Sequence, residues 1–138
     1  MASLKRRLVI AALVACGPGT AVADCLSYEP SEVMLVGVVK FKTFAGPPNY
    51  ESVASGDRAE KVAILELKEP ICVRSKSPDL INVPRDGITT VQLVVMPRSP
   101  VTLSEDRKIA VTGTLFGAIS GHHRTPVLLQ VRAVKDAI

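Results

Sequence analysis

Two adjacent histidines, His122 and His123, are the side chains best suited by type to proton or ligand chemistry, and they stand in the segment Gly121-His-His-Arg-Thr-Pro126. Imidazole titrates near neutral pH and ligates metals through either ring nitrogen. Adjacent residues of an extended chain point to opposite faces, so one metal ion takes both only with further ligands. The nearest acids that precede the pair in sequence are Glu105 and Asp106. Three roles are open to the pair: closing a hairpin turn by bonding backbone groups that the loop leaves free, forming a polar binding surface with Arg124, or serving a metal-dependent protein or enzyme. The residues predict no metal ligand set and no cofactor, because zinc sites show further Cys or His at set spacings.

The second candidate is the long loop from Ala45 to Glu60, which carries Gly46-Pro-Pro-Asn49-Tyr50-Glu51-Ser and Ser55-Gly-Asp57 and is entered through Phe44. Loops longer than about 12 to 15 residues inside a compact domain are functional or flexible. Phe44 and Tyr50 offer the amphipathic area that binding surfaces use, and Asn49 and Glu51 flank it with hydrogen-bonding groups. The opposing role is structural, with Tyr50 folding back over one end of the domain. Catalytic motifs are missing: Gly117-Ala-Ile-Ser120-Gly121 lacks the Gly-x-Ser spacing of a nucleophile elbow. Neither a phosphate-binding glycine loop nor an HExxH helix is present. These residues predict a non-enzymatic binding domain that recognises a protein, peptide or glycan through loops 45–60 and 118–126, with Phe44, Asn49, Tyr50, Glu51, His122, His123 and Arg124 as its surface. The alternatives are a metal-dependent protein or enzyme using His122 or His123, and a purely structural envelope protein.

Where such a surface works is indicated by the N-terminus. Lys5-Arg6-Arg7 precedes the apolar run Leu8–Ala15, followed by the breaker Gly17-Pro18 and the small-x-small site Ala21-Val-Ala23. This is the pattern of a secretory signal peptide, with cleavage expected between Ala23 and Asp24. The apolar run is far short of the roughly 20 residues that span a bilayer, so no transmembrane segment is expected after cleavage. The predicted location is periplasmic or secreted. Leu13-Val-Ala-Cys16 also resembles a bacterial lipobox, which gives the alternative of a lipoprotein anchored at Cys16.

Removing residues 1–23 takes three bases and no acid from the 17 bases and 13 acids of the whole chain. The high sequence pI of 9.2 is therefore largely a property of the leader. Acids and bases alternate in what remains, as in Glu66-Leu-Lys-Glu69, whereas a nucleic-acid-binding protein shows a basic face. Nucleic acid is not an expected partner. Two cysteines remain, Cys25 and Cys72. In an oxidising compartment an isolated pair is expected to form a disulfide, and closing that loop stabilises a small domain by about 4 kcal/mol.

The elements that position these groups follow from apolar periodicity. Segments with the two-residue period of half-buried strands occur at about Val33 to Phe44, Lys61 to Leu67, Ile71 to Arg74, Ile88 to Val95, Lys108 to Ala118 and Val127 to Val134. No amphipathic helix is expected after the leader, apart from a single turn around Tyr50 to Ala54. Glu32–Val39 and Arg107–Leu115 each place a glycine, Gly37 or Gly113, inside a strand and lead through a loop into a second strand. Interior glycines mark bulges or bends. The fold predicted for residues 24–138 is one all-β domain, a small partly open OB-like barrel, with a small β-sandwich as the alternative. In such a scaffold Tyr50 and His123 lie at the same end, on two loops that follow glycine-containing strands.

Cys25-Leu-Ser-Tyr-Glu-Pro30, Phe44–Ser52, Gly113-Thr-Leu-Phe116 and Gly121-His-His-Arg-Thr-Pro-Val-Leu-Leu129 resemble the bacterial exported family named domain of unknown function 4431. The resemblance runs from about Cys25 to Val131, and the His-His segment is its most specific part. In the family pattern a threonine precedes that glycine and a third histidine follows the pair; here Ser120 and Arg124 occupy those positions. The resemblance thus implies no three-histidine metal site in this chain, and it implies no established activity.

Overall fold

The structure, a computed structural model, describes Gly17, residues 24–77 and residues 79–138. The expected signal peptide, its cleavage site and the lipobox cysteine Cys16 lie outside the described residues, of which Gly17 is the one exception. Six strands follow one another along the chain: β1 (Leu26–Ser27), β2 (Glu32–Ala45), β3 (Ala59–Arg74), β4 (Arg85–Val94), β5 (Lys108–Gly117) and β6 (Val127–Asp136). No helix occurs among the described residues.

The strands form because apolar residues alternate along them. In β2, Val33, Leu35 and Val39 are buried while Glu32, Met34 and Val36 are exposed. In β5, Ile109, Val111, Gly113, Leu115 and Gly117 face inward. Closing these faces on one another yields one apolar core of Val, Leu and Ile with Tyr28 at its edge, and each fully buried aliphatic side chain contributes about 1.5–3 kcal/mol. The backbone ladders run β3–β2–β5–β6–β4 and return through a β3–β4 pairing, which closes the sheet into a ring. Every pairing in that ring is antiparallel except β4 with β6. The ring parts where β2 leaves β3: their pairing begins at Gly37 with Leu67, and Glu32 to Val36 pair only with β5 on the other side. This is the all-β, partly open small-barrel arrangement anticipated from the strand pattern.

Several local expectations are corrected. Lys61–Leu67 and Ile71–Arg74 belong to one strand, β3, whose register shifts between Glu66 and Ile71. Pro70 lies in that interval; it has no N–H to give to a ladder, so it interrupts the pairing without ending the strand. The short strand β1 pairs with Val73 and Arg74 and has no periodicity signal at its length of 2 residues. The turn expected at Tyr50 to Ala54 is not helical; it is a set of reverse turns closed by Ser55 N to Ser52 O and Gly56 N to Val53 O. Gly37 lies in an unbroken register, whereas the β5–β6 register shifts between Thr112 and Gly113, an irregularity at the glycine as expected, with Arg132 of β6 as the extra residue. Both glycines also admit a neighbouring backbone: a Cβ on Gly37 would sit 2.4 Å from Glu66 O, and one on Gly113 2.0 Å from Gln130 O.

Cys25 and Cys72 are joined by a disulfide that ties the segment before β1 to β3, with 4.7 Å between Cα atoms. The connection from β4 to β5 packs Val101 and Leu103 on the core. It also hydrogen-bonds the far half of β2 through Glu105 to Phe41 N and Asp106 to Lys40. Those acids are therefore engaged by β2. The 75–84 connection is anchored by Asn82, which accepts a bond from Gly117 N, and by Val83 O, which accepts one from the Tyr28 hydroxyl.

Candidate functional site

Two hairpins carry the candidate loops. β2 and β3 are joined by residues 46–58, and β5 and β6 by residues 118–126. Both loops are closed at their base by backbone bonds, Gly46 N to Arg58 O at 2.6 Å and Ala118 N to Pro126 O at 3.2 Å.

The first loop is organised by a buried carboxylate. Asp57 accepts hydrogen bonds from Asn49 N at 2.9 Å, Glu51 N at 2.8 Å and Ser52 N at 2.9 Å. These bonds, led by that from Ser52, hold its pKa below the usual aspartate value. Tyr50 N, between the caged amides, donates to Gly46 O at 2.9 Å. The chain is thereby forced through Tyr50 at φ 58°. A bulky residue in the left-handed region carries strain of about 1–3 kcal/mol, which the surrounding bonds must offset. The result is a fixed direction for the Tyr50 ring.

The second loop folds over the outside of the ring of strands. Ile64, Gln92 and Leu128 are aligned across β3, β4 and β6 on the face away from the core, yet all three are buried. Gln92 binds the loop at three points: its side chain donates to His122 O at 3.2 Å and accepts from Arg124 N at 2.6 Å, and its backbone N donates to Thr125 Oγ1 at 2.9 Å. Thr125 in turn donates to Val127 O.

The two loops meet through Arg124 and Glu60. Arg124 Nη2 donates to Glu60 Oε2 at 2.8 Å and to Ala45 O at 2.9 Å. Its guanidinium carbon lies 5.1 Å from the centre of the Phe44 ring and 5.5 Å from that of Tyr50, a cation–π arrangement on both. Arg124 Nε is buried against these rings without a hydrogen-bond partner. The side chains of Arg124 and Glu60 are only 11% and 17% exposed. Glu60 is held ionised, its pKa lowered first by the Arg124 bond and then by His122. An ionised carboxylate only accepts, so His122 donates from Nδ1 to Glu60 Oε1 at 2.6 Å. Its Nε2 faces the Tyr50 hydroxyl, 3.4 Å away. The Tyr50 and His122 rings are edge to face at 5.7 Å. Gly121 makes the contact possible: a Cβ there would lie 2.8 Å from Tyr50 Cε1.

Phe44, Tyr50, His122 and Arg124 thus come together, and Asn49 and Glu51 flank Tyr50 on the exposed side of its loop. His123 does not join them. Its ring packs edge to face on Phe116 at 5.5 Å, and its Nδ1 accepts a bond from Ile119 N at 3.0 Å. Burial, with the neighbouring His122, lowers its pKa and keeps it neutral as an acceptor must be. The meeting of the loops is therefore between Tyr50 and His122, where the sequence pointed to Tyr50 and His123; the backbone turn at 120–123, closed by His123 N to Ser120 O, sends the two rings apart. Asp57, Glu60 and Gln92 were missed. Asp57 had a signal in its Ser-Gly-Asp turn composition, whereas Glu60 and Gln92 act through long-range packing that no local pattern marks.

Among the described residues the only grouping with metal-ligand spacing is Cys25, Cys72 and Asp86, whose two sulfurs are consumed in the disulfide. No helix of the described residues is long and apolar enough to cross a membrane. No curated protein and no solved structure matches the chain. Gln92, loop 118–126 and strands β5 and most of β6 fall within a matched family segment, while Phe44, Tyr50 and Glu60 lie outside it. Residues 90–135 match the family model described as Domain of unknown function (DUF4431), the family that the His-His segment resembles.

Proposed function

We propose that this chain is an exported, non-enzymatic binding domain of the periplasm or envelope, and that it recognises a protein, peptide or glycan through the joined surface of loops 45–60 and 118–126. The observation that carries the reading is Tyr50: its backbone is held at φ 58° by a caged loop, and its ring is fitted against Gly121 and His122 of the other loop. Strain of this kind persists where the surrounding structure over-determines it, and it concentrates at ligand-contacting sites. A surface ordered before the ligand arrives spares the ligand the entropy of ordering it. Binding residues on loops held by a rigid scaffold are the common arrangement, and small barrels of the OB type bind on the loops after their first and fourth strands. Counting from β2 as the first strand of the ring, those are loops 46–58 and 118–126.

The test is cross-linked capture from the native envelope with the wild-type chain and with Tyr50→Ala. A partner recovered with the first and lost with the second supports the reading; equal recovery overturns it. Intact mass of the exported chain tests location, with a start at Asp24 expected and a diacylglyceryl group on Cys16 marking the lipoprotein alternative. One observation favours a second reading, an enzyme or metal-dependent protein using His122: the hydrogen-bonded line Glu60–His122–Tyr50 orients an imidazole at the surface. Stoichiometric zinc or copper after purification, lost in His122→Ala, would select it.

A further inference from the structure

The geometry points to a second binding site, separate from the joined loops: the seam where β2 leaves β3 takes the free C-terminal end of a polypeptide as an added strand. Val39 fixes which way the β2 backbone faces. Its N donates to Arg107 O at 3.0 Å and its O accepts from Asp106 N at 2.9 Å, both at the entry to β5. Backbone groups of successive residues alternate between the two neighbours of an antiparallel strand, and the β2–β5 register is unbroken from Glu32 to Val38. Val33, Leu35 and Gly37 therefore also face β5, and Met34 and Val36 direct their backbone groups to the other side. There the ladder with β3 begins only at Gly37 with Leu67, so neither belongs to a pair. Sheet edges are commonly blunted by Lys and Pro. The β3 side of the seam carries both, Lys68 and Pro70, but the β2 side carries Met34 and Val36, 56% and 40% exposed.

Between the two edges runs a groove of about 690 Å³, and among its lining Leu26, Leu67 and Ile71 pack against the core. No residue of loops 45–60 or 118–126 lines it. Apolar grooves of this size with a few polar groups are the common form of a binding site. An acyl chain there would cover the Met34 amide without bonding it, which costs free energy; an extended peptide bonds it. Geometry and charge then select which part of a peptide fits. Because β2 and β3 converge on the Gly37–Leu67 pair, a strand lying between them must stop there. The β2 strand of a second copy, 14 residues long, runs on past that point and does not fit. The free edge from Glu32 to Val36 is about 17 Å long, enough for about five residues. Both cations of the groove stand at its converging end: Lys68 follows Leu67, and Lys108 pairs with Val38 beside Gly37. Its acids, Glu69 and Asp24, lie further along, Asp24 next to the Cys25–Cys72 bridge. Lys68 is in no ion pair among the described residues. Lys108 gives one bond to Ile138 O, and an ammonium has three protons to donate. A terminal carboxylate at the converging end thus meets two cations, where a terminal ammonium would meet like charge.

The test is titration of the disulfide-bonded chain with a pool of hexapeptides ending in a free carboxylate, with Val, Leu, Ile, Phe or Thr at the terminal positions, and with the same pool as C-terminal amides. Chemical shift and hydrogen exchange of the Met34 and Val36 amides report binding. The expected result is saturable binding of at least one peptide with slowed exchange at those amides. Affinity should fall about tenfold or more for the amide form and in Lys68→Ala, and stay unchanged in Tyr50→Ala, which separates this site from the loops. N-methylation of one alternate set of peptide amides should abolish binding and of the other set should not. Equal binding of acid and amide forms, or no binding by any member of the pool, overturns the proposal. Saturation of the same amides by dodecanoate with no peptide bound also overturns it, in favour of an acyl site. So does dimer formation with slowed Met34 exchange in the unliganded chain, in favour of an interface between copies.

Discussion

Breaking the Cys25–Cys72 bridge is the perturbation whose magnitude follows most directly from the structure. The bridge spans 47 residues of sequence. In the chain-entropy account a closed loop of that length removes about 13–14 cal/mol/K from the denatured chain, or about 4 kcal/mol at 25 °C. For a domain of about 115 residues the unfolding entropy is about 0.24 kcal/mol/K, so the loss corresponds to about 17 °C in Tm. The native state loses little besides, because β1 contributes only the pairs Leu26 with Val73 and Ser27 with Arg74. The assay is urea unfolding of the oxidised chain against the double variant Cys25→Ser, Cys72→Ser. A midpoint lowered by about 2–5 kcal/mol divided by the m-value, with m itself increased by the less compact unfolded chain, is expected. Coincident unfolding curves would refute the idea that the denatured state is what the bridge restrains. So would free thiols in the unreduced, unfolded wild type.

Gly121→Ala should leave stability within about 1 kcal/mol but push the Tyr50 ring off His122, since the new Cβ falls 2.8 Å from Cε1; loss of the nuclear Overhauser contact between the rings checks it. Gln92→Ala strips Arg124 N and His122 O of their partners and should cost about 1–3 kcal/mol, with faster amide exchange across 118–126 as the readout. Acid should unfasten the loops in two stages. His123 has a lowered folded pKa, so the unfolded chain binds the proton first and stability begins to fall as pH drops through about 6.5. Asp57 and Glu60 are also lowered: their contribution is complete above about pH 4 and is lost as pH falls through their folded values. Asp57→Asn should remove the Asp57 share of the second stage and leave that of Glu60, monitored by exchange of the Asn49, Glu51 and Ser52 amides.

Strand positions were legible because burial on one face imposes a two-residue period, and Val33, Leu35, Ile109 and Leu115 all carry it. Ring closure was legible only as a fold class, since the parallel β4–β6 pairing joins strands far apart in sequence. The candidate loops were visible from their length and composition, and Tyr50 from its isolation among Pro, Asn and Ser. What holds Tyr50 was not. The Arg124–Glu60 pair spans 64 residues and the Gln92–Arg124 bond spans 32, distances over which a local pattern carries no information. Which of the two histidines meets Tyr50 was not legible either, because the turn closed by His123 N to Ser120 O sets the directions of the two rings.

The central claim is that the joined loops contact a ligand in the envelope. The direct measurement places a photo-activatable cross-linking residue at Asn49, exposed beside Tyr50, and as a control at Lys135, exposed on β6, in the full chain of residues 1–138. A discrete adduct from position 49 and none from position 135 is the expected result, with the adduct gone when Tyr50→Ala is added. Adducts of equal yield from both positions, or from position 135 alone, would contradict the account.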